Sequence, residues 1–189
     1  IDAWTVSRSM NDFRCIYVED REGTRTPGVY QARIFTTDDA IARFNKSQRF
    51  IARTADANKD KTVVVATHHA PSVQGVNRQH IQFSNLNAGY YTPLEDFIEA
   101  HPNIKVWVHG HTHLQKAYTI AQCQVLSNAR GYIGQEASAD VFDPDCWFDP
   151  VSGKRSKGPP TDEEIMAAQE ASIADWRKEH ENDPLGDDF

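Results

Sequence analysis

Residues 104–113 read IKVWVHGHTH: an apolar run, Ile104 to Val108, that passes directly into three histidines at alternate positions, His109, His111 and His113. The run has the β-branched and aromatic content of a strand. Neutral imidazole, with an ordinary pKa near ~6.5 and a free nitrogen lone pair, is the commonest side-chain ligand for divalent metals of intermediate softness. Spaced by two on an extended backbone, the three rings are expected to project from one side and converge on one point.

Upstream, Thr62 to Thr67 (TVVVAT) is a second β-branched run, and it also ends in histidine: His68 and His69, within HHAPS. Both runs are expected to be buried strands. In open α/β sheets the loops at the carboxyl ends of strands build the site, so both histidine clusters are expected on one rim. The segment between them, Ser72 to Tyr91, is long and irregular, as functional loops often are. Its Arg78, His80, Asn85, Asn87, Tyr90 and Tyr91 are candidates to wall a substrate pocket.

Helical signals alternate with these strands. Thr36 is a candidate N-cap, with Asp38 and Asp39 in the first turn, for a helix running to about Ala57. Ile41, Phe44, Phe50 and Ile51 form its expected apolar stripe, and Arg43, Lys46, Arg49 and Arg53 its solvated face. Thr92 to His101 (TPLEDFIEAH) combines Thr at the cap, Pro at the first helical position and Glu95 three residues on, a capping-box pattern. Phe13 to Glu19 alternates as a strand, and Lys116 to Ile120 with Cys123 to Ser127 reads as a hairpin placing Asn128, Arg130 and Tyr132 beyond its second strand. Helix, strand, histidine loop, repeated once, is an α/β rhythm.

A strand ending in HHAP, a later strand ending in GHTH and a downstream NARGYIGQE (Asn128 to Glu136) together resemble the C-terminal half of the calcineurin-like metallophosphoesterases. The resemblance covers roughly Asn11 to Asp143. It implies part of a layered β-sandwich flanked by helices, with the N-terminal half absent. It also implies a metal-dependent phosphoric ester hydrolase, a phosphatase or phosphodiesterase, working through two divalent ions (Mn, Fe or Zn). By resemblance His68 and His111 bind the second metal and His113 the first, while His69 and His109 are catalytic groups that orient ligands or the leaving group. Arg78, His80, Asn128 and Arg130 are the candidate substrate-binding residues, Arg130 serving either to fix the loops or to contact phosphate.

The family takes its remaining ligands from DxH, GDxxD and GNH[DE] segments, and this sequence contains none of them; its only Gly-Asp, Gly186-Asp187, lies at the terminus. Neutral imidazoles do not offset the repulsion of two close cations, so this chain alone is expected to bind at most one. Three explanations stay open: an N-terminal segment missing from a sequence that starts at Ile1, a second chain that supplies the ligands, or a non-catalytic metal-binding or interaction module.

The 189 residues, 39% hydrophobic and 25% charged, have the composition of a soluble globular domain. No apolar run approaches the ~18 residues a membrane span needs, and no signal peptide is visible. Cys15, Cys123 and Cys146 follow no metal-type spacing and read as reduced thiols, which suits the cytoplasm. Residues 161–189 hold ten acids and two bases, or −8, whereas the preceding 160 hold 17 acids and 18 bases, or +1. That distribution argues against broad nucleic-acid binding. The expected organisation is a domain over 1–150, a linker over 151–160 and an acidic helical tail over 161–189.

Overall fold

The β-branched runs form strands because their side chains suit a pleated surface covered by apolar neighbours. In the computed structural model, which describes residues 3–19, 32–77, 81, 86–133, 136–152 and 154–160 and the helical positions 164, 167, 170, 171, 174 and 178, the chain is α/β. The elements begin with α1 (Ala3–Ser9), α2 (Asp12–Cys15), β1 (Tyr17–Glu19), β2 (Ala32–Ile34), α3 (Thr37–Ala57) and β3 (Val63–Ala66). Single 3-10 turns follow at Val73–Gly75 and Asn87–Gly89, then α4 (Glu95–Glu99), β4 (Ile104–His109), β5 (Gln115–Ile120), β6 (Cys123–Asn128) and α5 (Ala137–Asp140). β1 and β2 make a separate antiparallel pair.

The main sheet has the order β3-β4-β6-β5, with β3, β4 and β6 parallel and β5 antiparallel to β6. The expected β5–β6 hairpin is therefore present, turning through Ala121 at φ 47°. Val65, Trp107 and Val125 lie in one cross-strand row. They join Ala55, Ile98, Ile104, Ile120 and Cys123 in the core, against which Ile51, Leu94, Phe97 and Tyr118 pack. A register shift opposite Val63 and Val64 leaves Lys105 as the extra residue of β4. Such a bulge turns a strand's facing, and it explains how Ile104 and Trp107 enter the same core.

Several expectations are corrected. β3 is an edge strand, and Val64 is 41% exposed while Val65 is 6% exposed. It is therefore half-buried, because alternate side chains face opposite sides of the sheet. Residues 12–15 are helical, so only Tyr17–Glu19 of the expected 13–19 strand is extended.

The α3 cap is as expected: the Thr36 hydroxyl accepts from the Asp39 N–H and the Asp39 carboxylate accepts from the Thr36 N–H, a complete capping box. Arg33 also binds that carboxylate, at 2.8 Å through Nη2, and holds it well below the usual range. Phe44 and Ile51 turn toward the body, but Ile41 and Phe50 stay exposed. Nine residues at 100° each place those two on opposite sides of the helix, so four apolar positions could not share one stripe.

α4 is shorter than its capping signal implied, starting at Glu95 with no side-chain cap. The preceding backbone is otherwise engaged: the Thr92 and Leu94 N–H groups donate to the Ala70 and Pro71 carbonyls at 3.0 and 2.9 Å. Those bonds tie the start of α4 to the HHAP loop. Arg78, His80 and Asn85 lie outside the described residues.

Candidate functional site

Parallel pairing of β3 with β4 sends both chains off the sheet at the same edge. The Gly110 N–H donates to the His68 carbonyl at 3.0 Å and joins the two exit loops. A second tie starts in the core: the buried Trp107 donates its indole N–H to Thr67 Oγ1 at 2.9 Å, and that hydroxyl donates to the His69 carbonyl at 2.8 Å.

The rings of His68, His69 and His111 gather at this rim. Their centroids stand 4.7 Å apart for His68 and His111, 4.6 Å for His69 and His111, and 5.3 Å for His68 and His69. The shared-rim expectation is met for these three.

The expected convergence of His109, His111 and His113 is corrected. Extended structure stops at His109; His111 has φ 61° and His113 φ 51°. The Thr112 N–H donates to the Gly110 carbonyl at 2.7 Å, so His111 is the central residue of a three-residue turn in its rarer, strained form. Positive φ in a non-glycine residue is uncommon, and such strain collects at functional sites. Period-two projection needs continuous extended backbone, so the three histidines diverge.

His109 follows Trp107 by two residues and is buried, at 3% exposure. Its Nδ1 pairs with the Gly110 carbonyl at 3.1 Å, and its Nε2 lies 3.5 Å from the Tyr118 hydroxyl. Gly75 fits against both: a Cβ there would stand 2.9 Å from His109 Nε2 and 2.9 Å from Tyr118 Oη. His109 is thus placed to support the turn rather than to meet solvent.

His111 donates from Nε2 to the Gly89 carbonyl at 3.0 Å, since a carbonyl only accepts, and keeps its lone pair on Nδ1. Tyr90 stacks on its ring at 5.1 Å. Burial first, then the neighbouring His69 and His68, pushes the His111 pKa down to about 4. His69 is lowered by the protein packed around it and by His68, though its outer edge keeps solvent access, and burial lowers His109. Neutral rings are the form that can ligate a metal.

His113 goes elsewhere. Its Nδ1 pairs with Glu136, 3.0 Å from Oε1 and 2.9 Å from Oε2, and the Tyr132 ring meets it edge-on at 4.7 Å. Burial works against the Glu136 charge, but the bonds from His113 and from the Tyr132 N–H keep its pKa below the usual value. Glu136 is the residue that sequence reading passed over, although it ends the Asn128–Glu136 stretch.

The remaining candidates serve the segment after α5. Asn128 donates to the Asp143 carbonyl at 2.8 Å, and the exposed Arg130 lies 5.7 Å from the Phe142 ring centroid. Nearby, the Ser156 N–H donates to the Trp147 carbonyl at 2.9 Å and the Asp149 N–H to the Lys154 carbonyl at 2.7 Å.

Comparisons with the models of protein families, with curated proteins and with solved structures each found no match. The chemistry therefore rests on the site itself. Among the described residues, no group of three or more His, Cys, Asp or Glu side chains is already placed to hold a metal ion. Yet the donor set of His68, His69 and His111 suits one divalent cation in kind. Two orphaned buried oxygens, Asn87 Oδ1 and Thr112 Oγ1, belong to the turn that holds His111 and to its chain neighbour. Buried polar atoms normally have partners, so this region suits a polar occupant. A pair of cations does not fit these three imidazoles alone, because neutral rings do not offset two close positive charges; the Asp12 carboxylate is a neighbouring charge that acts weakly to raise the pKa of His69 and His111.

Proposed function

We propose that this chain contributes the histidine side of a metal-dependent phosphoric ester hydrolase, with the carboxylate ligands supplied by another segment or a second chain. The observation that carries the reading is the gathering of His68, His69 and His111 within 5.3 Å at the carboxyl ends of two parallel strands, with His111 held neutral in a strained turn. A divalent pair supplies a hydroxide at neutral pH and neutralises charge on a transferring phosphoryl group.

This chain's part is to offer imidazole lone pairs and to fix their direction. Gly89 fixes His111, the Trp107–Thr67 relay fixes the His69 backbone, and buried His109 supports the turn at Gly110. In this reading the four-stranded sheet is one layer of a β-sandwich. The exposed Val64 and Ala66 on β3, and Ala117 and Thr119 on β5, mark the flanks of the face that the second layer would cover. The substrate is a phosphate monoester or diester.

The test is calorimetric titration of the chain with Mn²⁺ and Zn²⁺, beside hydrolysis of an aryl phosphate. The expected result is binding of a single cation, lost in His111→Ala, with turnover far below the ~1 per second typical of enzymes. Absence of cation binding would exclude the reading. Turnover at an enzymatic rate would show that the chain already holds a complete centre.

A non-catalytic metal-binding module is the second reading, favoured by the three neutral-type donors of His68, His69 and His111, which suit one cation but carry no charge to hold a catalytic pair. Adding the carboxylate-bearing segment separates the two, because only the hydrolase gains activity from it.

A further inference from the structure

His113 is gripped from one edge. Glu136 meets its Nδ1 with both carboxylate oxygens, at 3.0 and 2.9 Å, and Oε2 also accepts the Tyr132 backbone N–H at 2.9 Å. The Tyr132 ring stands at 89° to the imidazole. Gly131 makes this closeness possible: its φ of 79° disfavours a side chain, and a Cβ would run into Glu136 Oε2 while lying 3.3 Å from His113 Cβ. The carboxylate is thus anchored to backbone on one side and to the ring on the other.

An ionised carboxylate only accepts, so Nδ1 carries the proton and the lone pair is left on Nε2. A neutral imidazole in water favours the opposite form, with the proton on Nε2. The partner at one nitrogen decides which nitrogen remains free for a metal.

We propose that Glu136 is a positioning residue that holds His113 in the Nδ1–H tautomer and leaves Nε2 as the nitrogen whose lone pair is free for a ligand. This hold on His113 stands apart from the cluster of His68, His69 and His111.

Histidine side-chain ¹⁵N correlation spectra of the metal-free chain, recorded above neutral pH, read the tautomer directly. Wild type is expected in the Nδ1–H form and Glu136→Ala shifted toward Nε2–H. Glu136→Gln is expected to keep the wild-type form, because an amide oxygen in the place of Oε2 can accept from both His113 and the Tyr132 N–H. Its retention guards against a folding defect in the alanine variant. An Nε2–H wild type, or an alanine variant with wild-type signals, overturns the proposal.

Discussion

His111 is where backbone and electrostatics meet most sharply. It carries φ 61°, stacks on Tyr90, donates to Gly89, and has its pKa pushed down to about 4 by burial and by His69 and His68. In the unfolded chain the same group returns to the ordinary value near ~6.5. Between about pH 6.5 and 4 the unfolded state therefore binds more protons than the folded one, so stability is fully present above that window and falls as pH drops through it. His69 and His109, also lowered, act in the same direction. The lowered carboxylates Asp39, Asp149 and Glu136 act in more acid solution, since their contribution is lost only as pH falls from the unfolded carboxylate value toward the folded one. Thermal melts across the histidine window should show wild type losing stability with acid and His111→Asn losing less. Equal slopes in the two proteins would remove His111 as the source.

At the scale of the element, β4 joins the core to the site. Its bulge at Lys105 brings Ile104 and Trp107 to one face, and Trp107 then reaches across to Thr67 at the end of β3. Trp107→Phe keeps an aromatic ring but removes the donor and leaves a small void. The expected cost is roughly 1–3 kcal/mol in urea unfolding. The backbone amide signals of His68 and His69 should move as well, because the Thr67 hydroxyl that holds the His69 carbonyl loses its second partner. A variant as stable as wild type, with those signals in place, would mean that the relay does not connect core to rim.

For the molecule as a whole, the sheet is covered unevenly. α3 and α4 pack one face, whereas residues on both edge strands are exposed on the other. The acidic tail carries −8, and its described helical positions, 164, 167, 170, 171, 174 and 178, are all exposed. Glu164 borders a cleft of about 420 Å³ with Phe142 and Lys157. Deleting residues 161–189 should shift the melting temperature by less than about 2 °C, below what ~1 kcal/mol produces in a chain of this size. A large drop in differential scanning fluorimetry would place the tail in the core.

The sequence by itself determined the α/β class, the two histidine-ended strands, the β5–β6 hairpin and the α3 cap. Each follows from local patterns: β-branched runs, a two-residue gap, and Thr36 followed by Asp38 and Asp39 in the first turn. The meeting of His68, His69 and His111 was legible as well, because parallel strands present their carboxyl ends on one edge. Tertiary structure alone decided which histidines go where. Alternation in HGHTH points to one face only while the backbone stays extended, and the turn at His111 ends that condition. The partnership of His113 with Glu136 spans 23 residues and depends on the positive φ of Gly131, which no periodicity records. α4 lost its expected cap for a similar reason: the Thr92 N–H, free in a local reading, is used by the Ala70 carbonyl of a distant loop. Local propensity sets what a segment can form, and long-range hydrogen bonds set where its ends and side chains come to rest.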